Sequence, residues 1–385
     1  CDKVRVIKFL HCADIHLDTP FTSLANAVGK PSERRQDLRQ TFIRIIDVVQ
    51  EENADILLIS GDLYEHNYVK KSTVNFINDQ FNRIPGVEVF IVPGNHDPYT
   101  SGSYYRNSVW ADNVHILTQD KPCFEITRLG VCVYGLGFMD FYCGKPFIEQ
   151  IKPVDKKAIN ILMVHGTLDM DIGNNIYNPV SSSELECLGM DYIAFGHFHN
   201  RFEGLGPSKN IYNPGSPEPL GFDEEGEHGV LVGTITKDSN GNSFLDTEFI
   251  RLNRKFYLSM DVNVSGCGTD EQVIKRIENA VRGMNTETCI LCINLTGYTE
   301  QGFNIDLQYV TAYFSNHLYY LKVLDNTAPD YDFGRIAREP GLKGLFVRKM
   351  FSRIENSKDE HEKKVLTKAL YYGLEALERG EVECL

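Results

Sequence analysis

The sequence predicts an α/β protein with a smaller α/β module and a helical end, on three observations. Over the first two-thirds of the chain, apolar runs of strand length alternate with amphipathic helical stretches. After about residue 207, short strands appear, separated by Gly, Pro and Asn. From Arg254 a second alternation of strand and helix begins, and the chain closes on two amphipathic stripes. A length of 385 residues agrees with two or three domains.

The runs VRVIKFL, ADILLIS, VEVFIVP, INILMVH and DYIAFGH each fit a buried strand. Between the first two, Leu38, Phe42, Ile45, Ile46 and Val49 recur at helical spacing. Between the second and third, Val74, Ile77, Phe81 and Ile84 do the same. Each helix lays one face on a sheet, so the repeat gives a largely parallel or mixed sheet with crossover helices. NIYNPGSPEPLGF, EHGVLVGTITKDSNGNSF and DTEFIRL read as antiparallel strands completing the second half of the core, with a hairpin turn at SNGN. Phe256, Leu258, Met260, Val262 and Val264 alternate as a half-buried strand. Thr269 with Gln272 reads as a capping box before a helix carrying Val273, Ile277 and Val281. CILCINL, LQYVTAYF and LYYLKVL complete a small β-α-β-α-β module, and DNTAPDYDFGRIAREPG is a linker by composition. Beyond it, Leu345, Phe346, Met350 and Ile354 share one helical face, and Leu366, Ala369, Leu370, Leu374 and Leu377 share another. The expected boundaries are a core of residues 1–252, a capping module of 253–326 and a helical tail of 335–385. Periodicity reads the tail equally well as a helical pair docked on its own protein and as a docking element for a partner helix.

A formal net charge of −14 argues against a basic nucleic-acid-binding shell. It does not exclude a nuclease, because bound divalent cations reverse the local sign of an acidic site. A tight grip on DNA then needs local basic patches or a partner. No apolar run is long enough to span a membrane, and the N-terminus lacks a signal-peptide cleavage pattern. The ten cysteines show no disulfide framework and read as reduced residues of a cytoplasmic protein. Cys289 and Cys292 form a C-x-x-C inside an apolar strand-like run with no second pair, which reads as structural rather than as a redox or zinc site.

Every core strand ends in a potential metal ligand. The endings are, in order, Asp14-x-His16, Gly61-Asp62, Gly94-Asn95-His96-Asp97, His165-Gly166 and Gly196-His197-x-His199. Sites in α/β sheets form outside the carboxyl ends of strands, so these groups should converge. A lone Asp-x-His is most simply a hydrogen-bonded turn; the ordered series is what carries the inference. Aspartate, imidazole and an amide oxygen make mixed N/O sites suited to Mn, Fe or Zn. One carboxylate bridging two such cations builds a centre for in-line phosphoryl displacement.

The order D-x-H, G-D, G-N-H-D, H-G, G-H-x-H resembles the calcineurin-like metallophosphoesterase superfamily. HCADIHLDTPF, ISGDLY, VPGNHDP, AFGHFH and YNPGSPEPLGFDE further resemble its bacterial DNA-repair exonuclease branch, that of SbcD-type and YhaO-type proteins. The capping module and the tail with YYGLEAL resemble the YhaO type. The resemblance implies a two-sheet sandwich flanked by helices, two divalent ions, most often manganese, and an SMC-like coiled-coil ATPase met through the C-terminal helices; members often form homodimers. It implies a first metal at Asp14, His16, Asp62 and His199, and a second at Asp62, Asn95, His165 and His197. It implies that His96 protonates the leaving oxygen while Asp97 holds the His96 ring. Some relatives carry a histidine three residues after the bridging Asp. Here that place is Glu65, which reads as an acceptor for a ligand's ring.

Substrate contacts are read from position. Tyr104, Tyr105 and Arg106 follow the Gly-Asn-His-Asp loop and could stack unpaired bases, or pack under that loop, as Trp110 does in its simplest reading. Arg201 is a candidate phosphate contact or a solvated surface residue, and the amides of Asn213–Ser216 could approach a phosphate or form a plain turn. The leading expectation is a Mn-dependent DNA exo- or endonuclease in repair. The alternative is a phosphodiesterase for nucleotides or other small phosphoesters, which the acidic charge favours. A binding scaffold is disfavoured by the complete ligand series.

Overall fold

The runs expected as strands form strands, joined by others too short to stand out. In order they are β1 (Arg5–Cys12), β2 (Ile56–Ser60), β3 (Glu88–Val92), β4 (Val114–Ile116), β5 (Cys123–Ile126), β6 (Val131–Gly135), β7 (Ile159–His165), β8 (Tyr192–Gly196), β9 (Phe202–Leu205), β10 (Ile211–Asn213), β11 (Gly229–Lys237) and β12 (Ser243–Arg251). The helices among them are α1 (Lys30–Glu51), α2 (Lys71–Phe81), α3 (Tyr104–Asn107) and α4 (Ser182–Glu186). The structure, a computed structural model, describes residues 4–25, 27–144, 148–151, 156–170 and 177–379; the end of the expected tail, 380–385, lies outside the described residues. The chain divides into two units, 1–256 and 257–385.

The first unit holds two six-stranded mixed sheets, ordered β12-β11-β1-β2-β3-β4 and β5-β6-β7-β8-β10-β9. Side-chain alternation explains how they pack. Ile7, Phe9, Ile56, Leu58, Phe90 and Val92 face the second sheet, where they meet Val131, Val133, Ile159, Ile161, Met163 and Tyr192. The intervening Leu10, Cys12, Leu57, Ile59, Val89 and Ile91 face Leu38, Phe42, Ile45 and Ile46 of α1 and Ile77 and Phe81 of α2. The hairpin at the SNGN turn closes as expected, with Asp238 accepting from the Asn240 and Asn242 amides at 2.9 and 2.8 Å. It does not complete the second sheet. Instead β11 pairs antiparallel with β1 and extends the first.

The sheets are also stitched by polar contacts. His11 on β1 donates from Nε2 to the Phe195 carbonyl at 3.0 Å and accepts at Nδ1 from the Tyr192 hydroxyl at 2.9 Å. That pattern needs a neutral ring, and burial holds the ring down at about 3. The unfolded ring takes a proton near pH 6.5, well before the folded one. Stability is therefore full above pH 6.5 and falls towards pH 3 by about 1.4 kcal/mol per pH unit from this group. Denaturation midpoints at pH 7 and 4.5 should differ more in the wild type than in His11→Gln; equal differences would contradict the neutral tautomer.

The second unit contains β13 (Phe256–Asn263), α5 (Asp270–Ala280), β14 (Cys289–Thr296), β15 (Tyr298–Thr299), α6 (Leu307–Phe314), β16 (Tyr320–Asp325), β17 (Ala328–Pro329), α7 (Phe333–Ile336), α8 (Leu342–Asn356) and α9 (Glu360–Arg379). The β-α-β-α-β module is present, with sheet order β13-β14-β16. Only half of the expected capping box forms: Thr269 accepts from the Gln272 amide, while the Gln272 side chain takes the Gly268 amide. Cys289 and Cys292 lie on β14, and an odd spacing on a strand sends their thiols to opposite faces.

One expectation about the tail is corrected, and between its two readings the contacts favour a helical pair packed within its own chain. The stretch expected as a linker is structured: β17 pairs with β15, and Tyr331 and Ile336 are buried among the tail helices. Leu366, Leu370 and Leu374 face Val347 and Met350 within that cluster, so the stripe on α9 is spent internally. Gly373 allows the approach, since a Cβ there would fall 2.1 Å from the Phe346 ring. Leu374→Ala should lower unfolding stability by about 2–5 kcal/mol, the usual cost of a core cavity. A denaturation curve that does not move would return the stripe to a docking role.

Candidate metal centre

The ligand candidates sit where five strands end, at one end of the sandwich. Asp14 and His16 follow β1, Asp62 follows β2, Asn95 to Asp97 follow β3, His165 closes β7, and His197 and His199 follow β8. Their backbones are bent to bring them there. Asp14, His16, Asp62 and His197 all adopt positive φ, at 53°, 49°, 52° and 97°. Side chains tolerate that region poorly, and such residues concentrate at functional sites. Gly61, at φ 92°, allows a close approach: a Cβ there would lie 2.1 Å from Nδ1 of His165.

The hydrogen bonds define which atoms are left over. His165 Nδ1 donates to the Ser60 carbonyl at 2.8 Å, which leaves Nε2 facing Asn95 Oδ1 at 3.0 Å and Asp62 Oδ2 at 3.2 Å. His16 Nδ1 donates to Glu65 at 2.8 Å and His199 Nδ1 to Glu224 at 2.7 Å. Their Nε2 atoms then face each other at 3.2 Å, and His16 Nε2 lies 3.7 Å from Asp62 Oδ2. Asp62 Oδ1 is occupied by the His96 amide at 2.8 Å, so Oδ2 alone lies between the two groups. Lone pairs converging at these distances repel unless positive charge, a proton or a metal ion, lies among them. The carboxylates and imidazoles of Asp14, His16 and His199, and of Asp14, Asp62 and His165, come together within metal-binding reach. The donor set thus fits a pair of divalent ions.

The electrostatics agree. Burial opposes charge on His165, yet Asp62 holds its ring up at about 9. His199 is likewise held at about 9, against burial, by Glu224. Both rings sit where positive charge is favoured. His197 differs: burial and the neighbouring His165 push it down to about 3, and among the described residues its ring nitrogens have no hydrogen-bond partner. Its ring packs against His165 and Tyr177, with centroids 5.3 and 5.4 Å away. Its amide donates to both Asp14 oxygens at 3.0 Å.

Asp97 does not hold the His96 ring. It is fully buried and accepts from the Gly94, Asp62 and Leu63 amides and the Tyr105 hydroxyl, at 2.6, 3.2, 2.7 and 2.6 Å. It therefore clamps the Asp62 loop to the Gly94 loop. Glu65 takes the expected place of Asp97, binding His96 Nδ1 at 3.0 Å through one oxygen and His16 through the other. That hydrogen bond, partly offset by burial, raises the half-exposed His96 to about 9. Tyr105 is only 3% exposed and cannot stack a base; Tyr104 is partly packed in the same core. Trp110 packs against Tyr105 and Phe81. Arg201 is engaged with Glu203 at 3.4 Å and lies over the Phe249 ring at 3.9 Å.

Sequence reasoning missed Glu224. Its second oxygen accepts from Ser216 Oγ at 2.7 Å and the Leu220 amide at 3.1 Å, so Ser216 helps brace His199, and the Ser216 amide itself is spent on the His199 carbonyl at 3.1 Å. Carboxylates behind a ligand histidine fix its ring and raise its basicity. Glu224→Gln should weaken binding of one metal ion by about 10–100-fold and leave the other unchanged. Calorimetric titration with Mn²⁺ checks this, and two unaltered affinities would remove Glu224 from the centre.

The calcineurin-like phosphoesterase family model matches residues 7–201, just over half the chain and all of the strand ends described above. The chain belongs to the calcineurin-like phosphoesterase family and is a metal-dependent hydrolase. Among its relatives, the metallophosphoesterase YhaO of Bacillus subtilis is 25% identical over 296 residues, 75% of this chain and 71% of that protein. The DNA double-strand break repair protein Mre11 of Methanopyrus kandleri is 27% identical over 70% of this chain and 62% of its own length. The SbcD component of the SbcCD nuclease from Staphylococcus epidermidis is 23% identical over 51% of this chain and 58% of its own length. The matches to these last two span less than two-thirds of their length. Among the described residues no helix is long and apolar enough to cross a membrane.

Proposed function

We propose that the chain is a Mn-dependent DNA nuclease acting in repair with an SMC-like coiled-coil ATPase. The observation that carries the phosphodiester reading is Asp62 Oδ2, placed between two sets of acceptor atoms that each call for a cation. The relatives named for double-strand break repair and for SbcCD nuclease support DNA as the substrate and the ATPase as the partner. One ion would rest on Asp14, His16, Asp62 and His199, the other on Asp62, Asn95, His165 and His197. When bound, such a pair supplies Lewis acidity to a phosphoryl group and lowers the pKa of water. The protein's own part is positional. Glu65 and Glu224 fix the rings of His16 and His199, the Ser60 carbonyl fixes that of His165, and Asp97 locks the bridging loop. His96, half-exposed at the mouth and held by Glu65, places Nε2 to give a proton to the leaving oxygen.

The net charge of −14 favours the second reading, a phosphodiesterase for nucleotides or small phosphoesters. Purified protein with Mn²⁺ should degrade linear and single-stranded DNA as well as bis-p-nitrophenyl phosphate. Hydrolysis of the small ester alone would select the second reading.

A further inference from the structure

We propose that a groove beside the metal-ligand loops binds the phosphodiester backbone of a single nucleic-acid strand, an inference that rests on the nuclease reading above. The groove is about 470 Å³ and is lined by Asp18, Arg35, Arg39, Tyr68, Lys70 and Ser72. Three of its lining residues lie on the loops that also carry His16 and Glu65. Asp18 lies two residues after His16, and Tyr68 and Lys70 lie three and five after Glu65. Three residues reach at most about 11 Å, so the Tyr68 backbone lies within that distance of Glu65, which holds the His16 ring. The two loops are also tied together, by the Glu65 amide to the Leu17 carbonyl at 3.0 Å and the Lys70 amide to Asp18 at 3.2 Å.

Charge in the groove is not cancelled. Arg39 is spent on Asp18 and Thr73, at 3.3 and 2.5 Å, and lies over the Phe76 ring. This offsets the one carboxylate in the lining. Among the described residues, the side chains of Arg35 and Lys70 have no ion-pair or hydrogen-bond partner. In a chain of net charge −14, two unspent cations facing one groove make a local exception to the overall sign. Cations in such a groove track a phosphate backbone. Tyr68, 54% exposed, adds an open aromatic face of the kind on which unpaired bases stack whatever their identity. None of the ligand candidates lines this groove, so a substrate that fills both is longer than a small phosphoester.

The test uses the full chain as three proteins: wild type, Arg35→Ala/Lys70→Ala and Tyr68→Ala. Binding of a fluorescent oligothymidylate is read by anisotropy across a salt series with Mn²⁺ left out, and hydrolysis of bis-p-nitrophenyl phosphate and cleavage of DNA with Mn²⁺ report the centre. The double variant should bind about 10–100-fold more weakly, with a salt slope reduced by about 1.4, and Tyr68→Ala about 10-fold more weakly with the slope kept. Ester hydrolysis should stay within about twofold of wild type in both. Wild type that fails to bind the oligomer, or variants that bind it equally well with the same salt slope, would overturn the groove. Binding that depends on these residues without any DNA cleavage would sustain the groove and overturn the nuclease reading alone.

Discussion

Replacing Asp62 by Ala leaves the protein without either metal ion and lowers phosphodiester hydrolysis by at least about 10³-fold, the equivalent of several kcal/mol of lost charge stabilisation. The reason is local. Asp62 Oδ2 lies 3.2 Å from His165 Nε2 and 3.7 Å from His16 Nε2, so one atom serves both halves of the centre. His16→Ala is the contrasting variant. It removes one acceptor from one half, so a single ion should be weakened while the other is retained. Metal analysis after dialysis separates the two outcomes. An Asp62→Ala protein that retains two tightly held ions would exclude the bridging assignment.

Replacing His96 by Ala keeps both ions and lowers DNA cleavage by about 10²–10⁴-fold, the range for loss of a general acid. His96 shares no acceptor atom with the ligand groups on Asp62 Oδ2. Its ring is tied to Glu65 at the mouth, and only its amide touches Asp62. The loss should shrink on p-nitrophenyl esters, whose leaving group departs without a proton. Equal losses on DNA and on such esters would mean that His96 acts by positioning or structure instead.

The meeting of Asp14, His16, Asp62, Asn95, His165 and His199 was legible in the sequence because each stands where an apolar run stops, and parallel strands bring such ends together. The partners behind them were not. Glu224 follows His199 by 25 residues at the end of the YNPGSPEPLGFDE motif, but the resemblance assigned it no role and a loop without periodicity does not show which ring it reaches. Adjacency misled at Asp97: next to His96 in sequence, it turns inward to bind amides, and Glu65 arrives from another loop. β5 escaped notice because the four residues CFEI carry too little pattern. On α9 the stripe was visible, as was the α8 face that carries Met350, but not that the two meet. An apolar face at helical spacing reads the same whether its own chain or another covers it, and here Val347 and Met350 cover it.

The central claim, two cations sharing Asp62, is tested most directly by anomalous diffraction at the manganese edge from crystals of the wild-type protein equilibrated with Mn²⁺. The account predicts two peaks, one bounded by Asp14, His16 and His199 and the other by Asn95, His165 and His197, with Asp62 Oδ2 a ligand to both. A single peak, or a second peak out of reach of Asp62, would contradict it.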